Sequence, residues 1–159
     1  MPTLLFATNN QHKLREIRQI LGSSFTIKSL ADLGISEDIP ETADTLDGNA
    51  LQKARYIREK TGMDCFADDT GLEIAALDGR PGVYSARYAG EGCSFDDNVR
   101  KILGEMEGME DRHACFRCVI CLLKGEETLF FEGRVDGTIT TQSRGSEGFG
   151  YDPVFLPEG

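Results

Sequence analysis

The sequence predicts an α/β fold, and three observations carry that prediction. An apolar run at residues 3–7 passes through a polar turn into a helical repeat. A second helical pattern, over residues 46–60, leads into another short apolar run at 65–67. The C-terminal half holds two strand-like runs, 113–123 and 128–132, joined by Lys124-Gly125-Glu126-Glu127 as a β-hairpin. With 159 residues, 40% hydrophobic and 28% charged, the chain suits one globular domain with a substantial core.

Taken in order, residues 3–7 read as a buried central strand. The turn Thr8-Asn9-Asn10-Gln11-His12-Lys13 opens a helix whose apolar positions are Leu14, Ile17, Ile20 and Leu21, with Gly22 as its stop. Strand, polar turn and helix is the arrangement in which N–H groups at a helix start receive a phosphate. Lys13 sits in the first turn, where the helix dipole prefers anions. A docked anion would explain it, and so would simple solvation. Residues 25–30 alternate as a second strand, and 36–45 form an acidic loop. The next helix, stopped by Gly62, has the core stripe Leu46, Ala50, Ala54 and Ile57. Thr45, Asn49 and Lys53 share an adjacent edge of it, four residues apart.

The run Cys65-Phe66-Ala67 reads as a strand end, and Asp68-Asp69-Thr70-Gly71 as the turn that follows, with a short strand at 71–75. Two adjacent anions there are costly unless cations or donors meet them. On extended backbone their side chains face opposite ways, which implies different tasks. Residues 78–92 look like a long surface loop. Ser94 with Asp97 starts a third helix through a capping box, burying Val99, Ile102, Leu103 and Met106. After the hairpin, 133–141 is predicted as a further strand. Phe149 lies between glycines in the segment 145–155, and its ring can stack on a flat base or plug the core.

Composition narrows the partners. The formal net charge is −10, from 27 acidic and 17 basic side chains. Such a field repels nucleic acid and anionic membranes. A small polyphosphate remains possible if a divalent cation stands between it and the protein. The sequence shows no basic leader and no apolar run of membrane-spanning length, so a cytoplasmic location is expected. The cysteines at 115, 118 and 121 have a spacing that suggests metal binding. On a strand, however, Cys118 faces away from the other two, so reduced packing thiols are expected.

Together these segments resemble the inosine triphosphate pyrophosphatase family. The resemblance rests on Thr8, Asn9, Asn10 and Lys13; on Glu41-Thr42, Thr45, Asn49-Ala50 and Lys53; and on Ala67-Asp68-Asp69-Thr70-Gly71-Leu72. The segments Pro81-Gly82-Val83-Tyr84-Ser85-Ala86-Arg87 and Gly148-Phe149-Gly150-Tyr151-Asp152-Pro153 follow in the family's order. The resemblance implies an elongated mixed β-sheet flanked by helices, with two lobes around a central cleft, and a homodimer. It implies Mg²⁺-dependent hydrolysis of noncanonical purine nucleoside triphosphates to the monophosphate and pyrophosphate.

Under that resemblance, Glu41 and Asp69 hold Mg²⁺, Asp69 accepts the proton and Asp68 supports metal or water. Lys13 and Lys53 grip phosphate oxygens, aided by Thr8, Asn9, Asn10, Gln11 and His12 of the opening turn and by Thr70. Phe149, Gly150, Tyr151 and Asp152 form a wall for the base. Residues 1–159 are expected to be one domain lacking the family's further basic segment, with its lysine and Ser-His-Arg triplet. Weakened base selectivity is the expected result. A weakly catalytic nucleotide-binding module and a Maf-like nucleotide pyrophosphatase are the alternatives.

Overall fold

A computed structural model describes residues 2–143, 151 and 154–158. Its core is a mixed sheet flanked by helices, with the strand order β2-β1-β3-β5-β6-β7 and β4 added to β3. β1 (Thr3–Phe6) runs parallel to β2 (Thr26–Lys28), with Leu4 opposite Ile27. It also runs parallel to β3 (Cys65–Ile74), with Leu5 opposite Cys65. Antiparallel pairs include β4 (Pro81–Gly82) on β3 and β7 (Phe155–Pro157) on β6 (Glu127–Ile139). No described helix is long and apolar enough to cross a membrane.

The chain forms two compact units. One comprises residues 1–69 and 119–131, the other 70–118 and 132–159. In the first, Phe6, Leu14, Ile27 and Phe66 make a core, with the Phe6 and Phe66 rings stacked at 4.5 Å. Helix α1 (Gln11–Leu21) packs Leu14 into this core, with Ile17 and Leu21 against it. Ile20, expected to be buried, is 71% exposed, since the stripe is too narrow to cover it. Helix α2 (Leu46–Thr61) buries the stripe read from its sequence, Leu46, Ala50, Ala54 and Ile57, and buries Asn49 as well. It ends at Gly62 in the left-handed conformation, a common helix stop. The second unit packs Leu72, Ile74, Val99, Ile102, Met106 and Val154 around helix α3 (Phe95–Glu105). Both bonds of the Ser94/Asp97 capping box are present.

Three sequence expectations are corrected. The chain does not turn at Asp68–Gly71, because β3 continues as one strand from Cys65 to Ile74. Both carboxylates find partners within extended backbone, and beyond them Leu72 pairs with Gly82 and donates its N–H to the Ser85 hydroxyl. The strands expected at 128–132 and 133–141 are likewise one strand, β6, since Gly133 does not break the pairing. The loop at 78–92 is partly structured by β4 and a 3-10 turn at Ser85–Arg87, with Ser85 buried. In β5 (His113–Lys124) the cysteines follow the predicted alternation: Cys115 and Cys121 are buried, Cys118 is less so, and all three are free thiols.

Candidate active site in the first unit

The site grows from the end of β1, the middle of β3 and the loop before α2. Beyond β1, the Asn10 N–H donates to Thr8 Oγ1 at 3.1 Å. Asn10 caps α1, and its Oδ1 accepts the N–H groups of His12 (3.0 Å) and Lys13 (3.2 Å). These are two of the helix-start donors that a phosphate was expected to use. Asn9 and Gln11 are exposed, and exposed His12 places Nε2 2.9 Å from Glu16 on the helix surface.

The predicted charged residues converge in pairs. Lys13 Nζ lies 2.8 Å from Oδ2 of Asp68, whose side chain is 9% exposed. Lys53 Nζ lies 2.8 Å from Glu41 Oε1, with the lysine mostly buried and the glutamate more open. Asp69 Oδ2 accepts a 3.1 Å hydrogen bond from Asn49 Nδ2. Burial raises the Asp69 carboxyl above its ordinary range; Lys53 and the Asn49 bond oppose this, while Glu41 and Asp68 add to it. An open pocket of about 320 Å³ is lined by Thr8, Asn9, Glu41 and Lys53, together with Ala7, Leu30, Asp38 and Ile39.

Among the described residues, no three carboxylate, imidazole or thiol groups stand as a ready-made metal cluster. Glu41 and Asp68 add to the rise in Asp69 proton affinity that burial chiefly causes. That donor set fits Mg²⁺, which takes one or two carboxylates and fills its remaining positions with water and phosphate.

Two amides outside the predicted charged set, Gln52 and Asn49, hold this arrangement. Gln52 clasps Thr42 from both ends: its Oε1 accepts the Thr42 N–H at 2.8 Å, and its Nε2 donates to the Thr42 hydroxyl at 2.9 Å. Asn49 accepts the Ala43 N–H at 2.9 Å. The segment bearing Glu41 is thereby tied to α2. An amide beside an otherwise apolar stripe was the available signal, at Asn49 above all.

Among the described residues, two predicted site residues belong to the second unit. Thr70 is exposed on β3. Tyr151 is a core side chain, 5% exposed, whose hydroxyl donates to the Ser85 carbonyl at 2.7 Å. The part of the predicted base wall that Tyr151 contributes thus lies in the packing of the second unit. Phe149, Gly150 and Asp152 lie outside the described residues.

Known proteins resemble this chain over most of its length. The chain is 58% identical to the dITP/XTP pyrophosphatase of Porphyromonas gingivalis over 160 residues, covering 100% of this chain and 82% of that protein. It is 54% identical to the dITP/XTP pyrophosphatase of Flavobacterium johnsoniae, covering 98% and 81%. A HAM1 protein structure from Coxiella burnetii superposes with a TM-score of 0.91 at 37% identity, over 98% of this chain and 81% of that one. The nucleoside-triphosphatase/dITP/XTP pyrophosphatase structure from Mycobacterium abscessus gives 0.85 at 39% identity, over 99% and 84%. Residues 4–159 match the family model itself, and the chain belongs to the Ham1 family.

Proposed function

We propose that this chain hydrolyses noncanonical purine nucleoside triphosphates, those of inosine, deoxyinosine and xanthosine, to the monophosphate and pyrophosphate. The observation that carries this reading is the pairing of two lysines with two carboxylates in the unit that holds Asp69. The names of the similar proteins support the substrate class.

Cleaving a phosphoric anhydride needs positioning, charge neutralisation and an oriented water more than covalent chemistry. Lys13 and Lys53 supply two ammonium groups for phosphate oxygens, and the Thr8 and Thr70 hydroxyls add neutral donors. At the start of α1 the N–H groups of His12 and Lys13 are already given to Asn10, so the Lys13 side chain carries the phosphate contact there. Asp69 accepts the proton of the attacking water. Asp68, fixed by Lys13, supports the orientation of that water. Glu41 and Asp69 would hold Mg²⁺, which when bound neutralises phosphate charge. Phe149, Gly150, Tyr151 and Asp152 are assigned to the base wall by sequence.

The net charge of −10 supports a small nucleotide over nucleic acid, and with it a cytoplasmic place of work. Exposed Leu129, Phe130 and Phe131 on β6 support pairing of two copies as a homodimer. The function is tested by incubating the protein with Mg²⁺ and the triphosphates of inosine, xanthosine and adenosine. Pyrophosphate and phosphate are measured separately. Pyrophosphate matching monophosphate, faster for inosine and xanthosine, is expected; release of phosphate alone would overturn the reading.

A further inference from the structure

We infer that Asn49 is the positioning residue that sets the two acidic arms of the site, Asp69 and the loop bearing Glu41, against each other. The inference rests on the proposed function and names a residue that acts through others. Asn49 is 1% exposed, on the same face of α2 as Lys53 one turn later. Its carboxamide spans two elements: Nδ2 donates to Asp69 Oδ2 at 3.1 Å, and Oδ1 accepts the Ala43 N–H at 2.9 Å.

Chemistry dictates both ends. A backbone N–H can only donate and an ionised carboxylate can only accept, so the residue between them must offer one acceptor and one donor. An amide does this with one planar group, and its orientation is fixed by its partners. Aspartate would meet Asp69 with a second acceptor, and leucine would remove both of these bonds at once. Ala43 lies two residues after Glu41, and Thr42 between them is held by Gln52. Anchoring Asp69 Oδ2 fixes the plane of that carboxylate, and anchoring Ala43 fixes the path of the Glu41 loop. The same amide thus sets the angle and the spacing of both carboxylates. Outer partners of this kind typically matter by about 10- to 100-fold in metal affinity or turnover.

Asn49→Asp separates the two ends, keeping the shape and the acceptor for Ala43 while losing the donor for Asp69. The expected result is a fall in kcat of about 10-fold or more with KM for inosine triphosphate within about 3-fold. Calorimetry without nucleotide should show Mn²⁺ binding changed by at least about 10-fold, a readout independent of turnover. A general loss of packing would lower kcat only through the folded fraction, which circular dichroism measures. The exchange variant Asn49→Asp/Asp69→Asn reverses donor and acceptor. It should melt above the value expected from adding the two single changes, while remaining inactive. An exchange variant melting no higher than that sum, or failing to fold, overturns the inference, as does Asn49→Asp with parental kcat and Mn²⁺ affinity. A parent that releases no pyrophosphate overturns the proposed function instead, leaving the melting comparison to decide the contact.

Discussion

At Asp69 the carboxylate is held in a place that disfavours its charge. Burial raises its proton affinity, and Glu41 and Asp68 push the same way. A folded-state value above the unfolded one means the native protein binds more protons in the window between them, so stability falls as pH rises through it. Asp69→Asn should therefore melt at or above the parent at neutral pH. That advantage should disappear in acid, where the aspartate is protonated in both states. Turnover should drop by at least about 100-fold through loss of the proton acceptor; near-parental turnover at saturating Mg²⁺ would contradict the assignment. The lysines differ from each other in a way their sequence positions do not reveal. Lys13→Ala leaves the buried Asp68 carboxylate without its cation, so it should cost about 1–3 kcal/mol of stability. Lys53→Ala leaves the more open Glu41, which water can solvate, so thermal melting should move less. Both should raise KM for the triphosphate, by roughly 1.5–3 kcal/mol of lost charged hydrogen bonding. Equal melting of the two variants would count against this account of Asp68. Adding Asp68→Asn to Lys13→Ala should recover part of the lost stability.

Among the elements, those with strong local signals were legible and those decided by distant partners were not. Helix α2 was readable from Leu46, Ala50, Ala54 and Ile57 because helix period and burial coincide there, and Thr45 and Gly62 mark its ends. The capping box of α3 was readable for the same local reason. The acidic pair was misread as a turn because Asp, Thr and Gly favour turns, whereas Lys13 and Asn49, remote in sequence, satisfy the carboxylates within a strand. Of the site, the charged residues were legible by chemical type. Gln52 was not, and Asn49 was legible as an amide on the Lys53 edge without its partners, since an amide's task depends on what faces it. A test at this scale is Gly137, where β7 crosses close to β6. A methyl group there would sit 2.7 Å from the Phe155 ring and nearer still to the Leu156 carbonyl. Gly137→Ala should destabilise the second unit by about 1–3 kcal/mol through overpacking. Unchanged melting would mean that β7 can shift without loss.

For the molecule as a whole, exposed Leu129, Phe130 and Phe131 on β6 bear on assembly. Sedimentation of the parent should give a dimer, and Phe130→Lys/Phe131→Lys should give a folded monomer. A parent that sediments as a monomer at tens of micromolar would refute that reading. The parallel pairing of β1 with β3 also has a consequence in time. Leu5 meets Cys65 and Lys13 meets Asp68, a separation of 55 positions for the ion pair, so the site closes only after a long loop closes. Helices α1 and α2 can form locally long before that. During refolding, helical circular dichroism should therefore return ahead of the capacity to release pyrophosphate. Recovered activity then reports the last long-range step rather than the first collapse, and a chain caught before that step has its helices but no joined site.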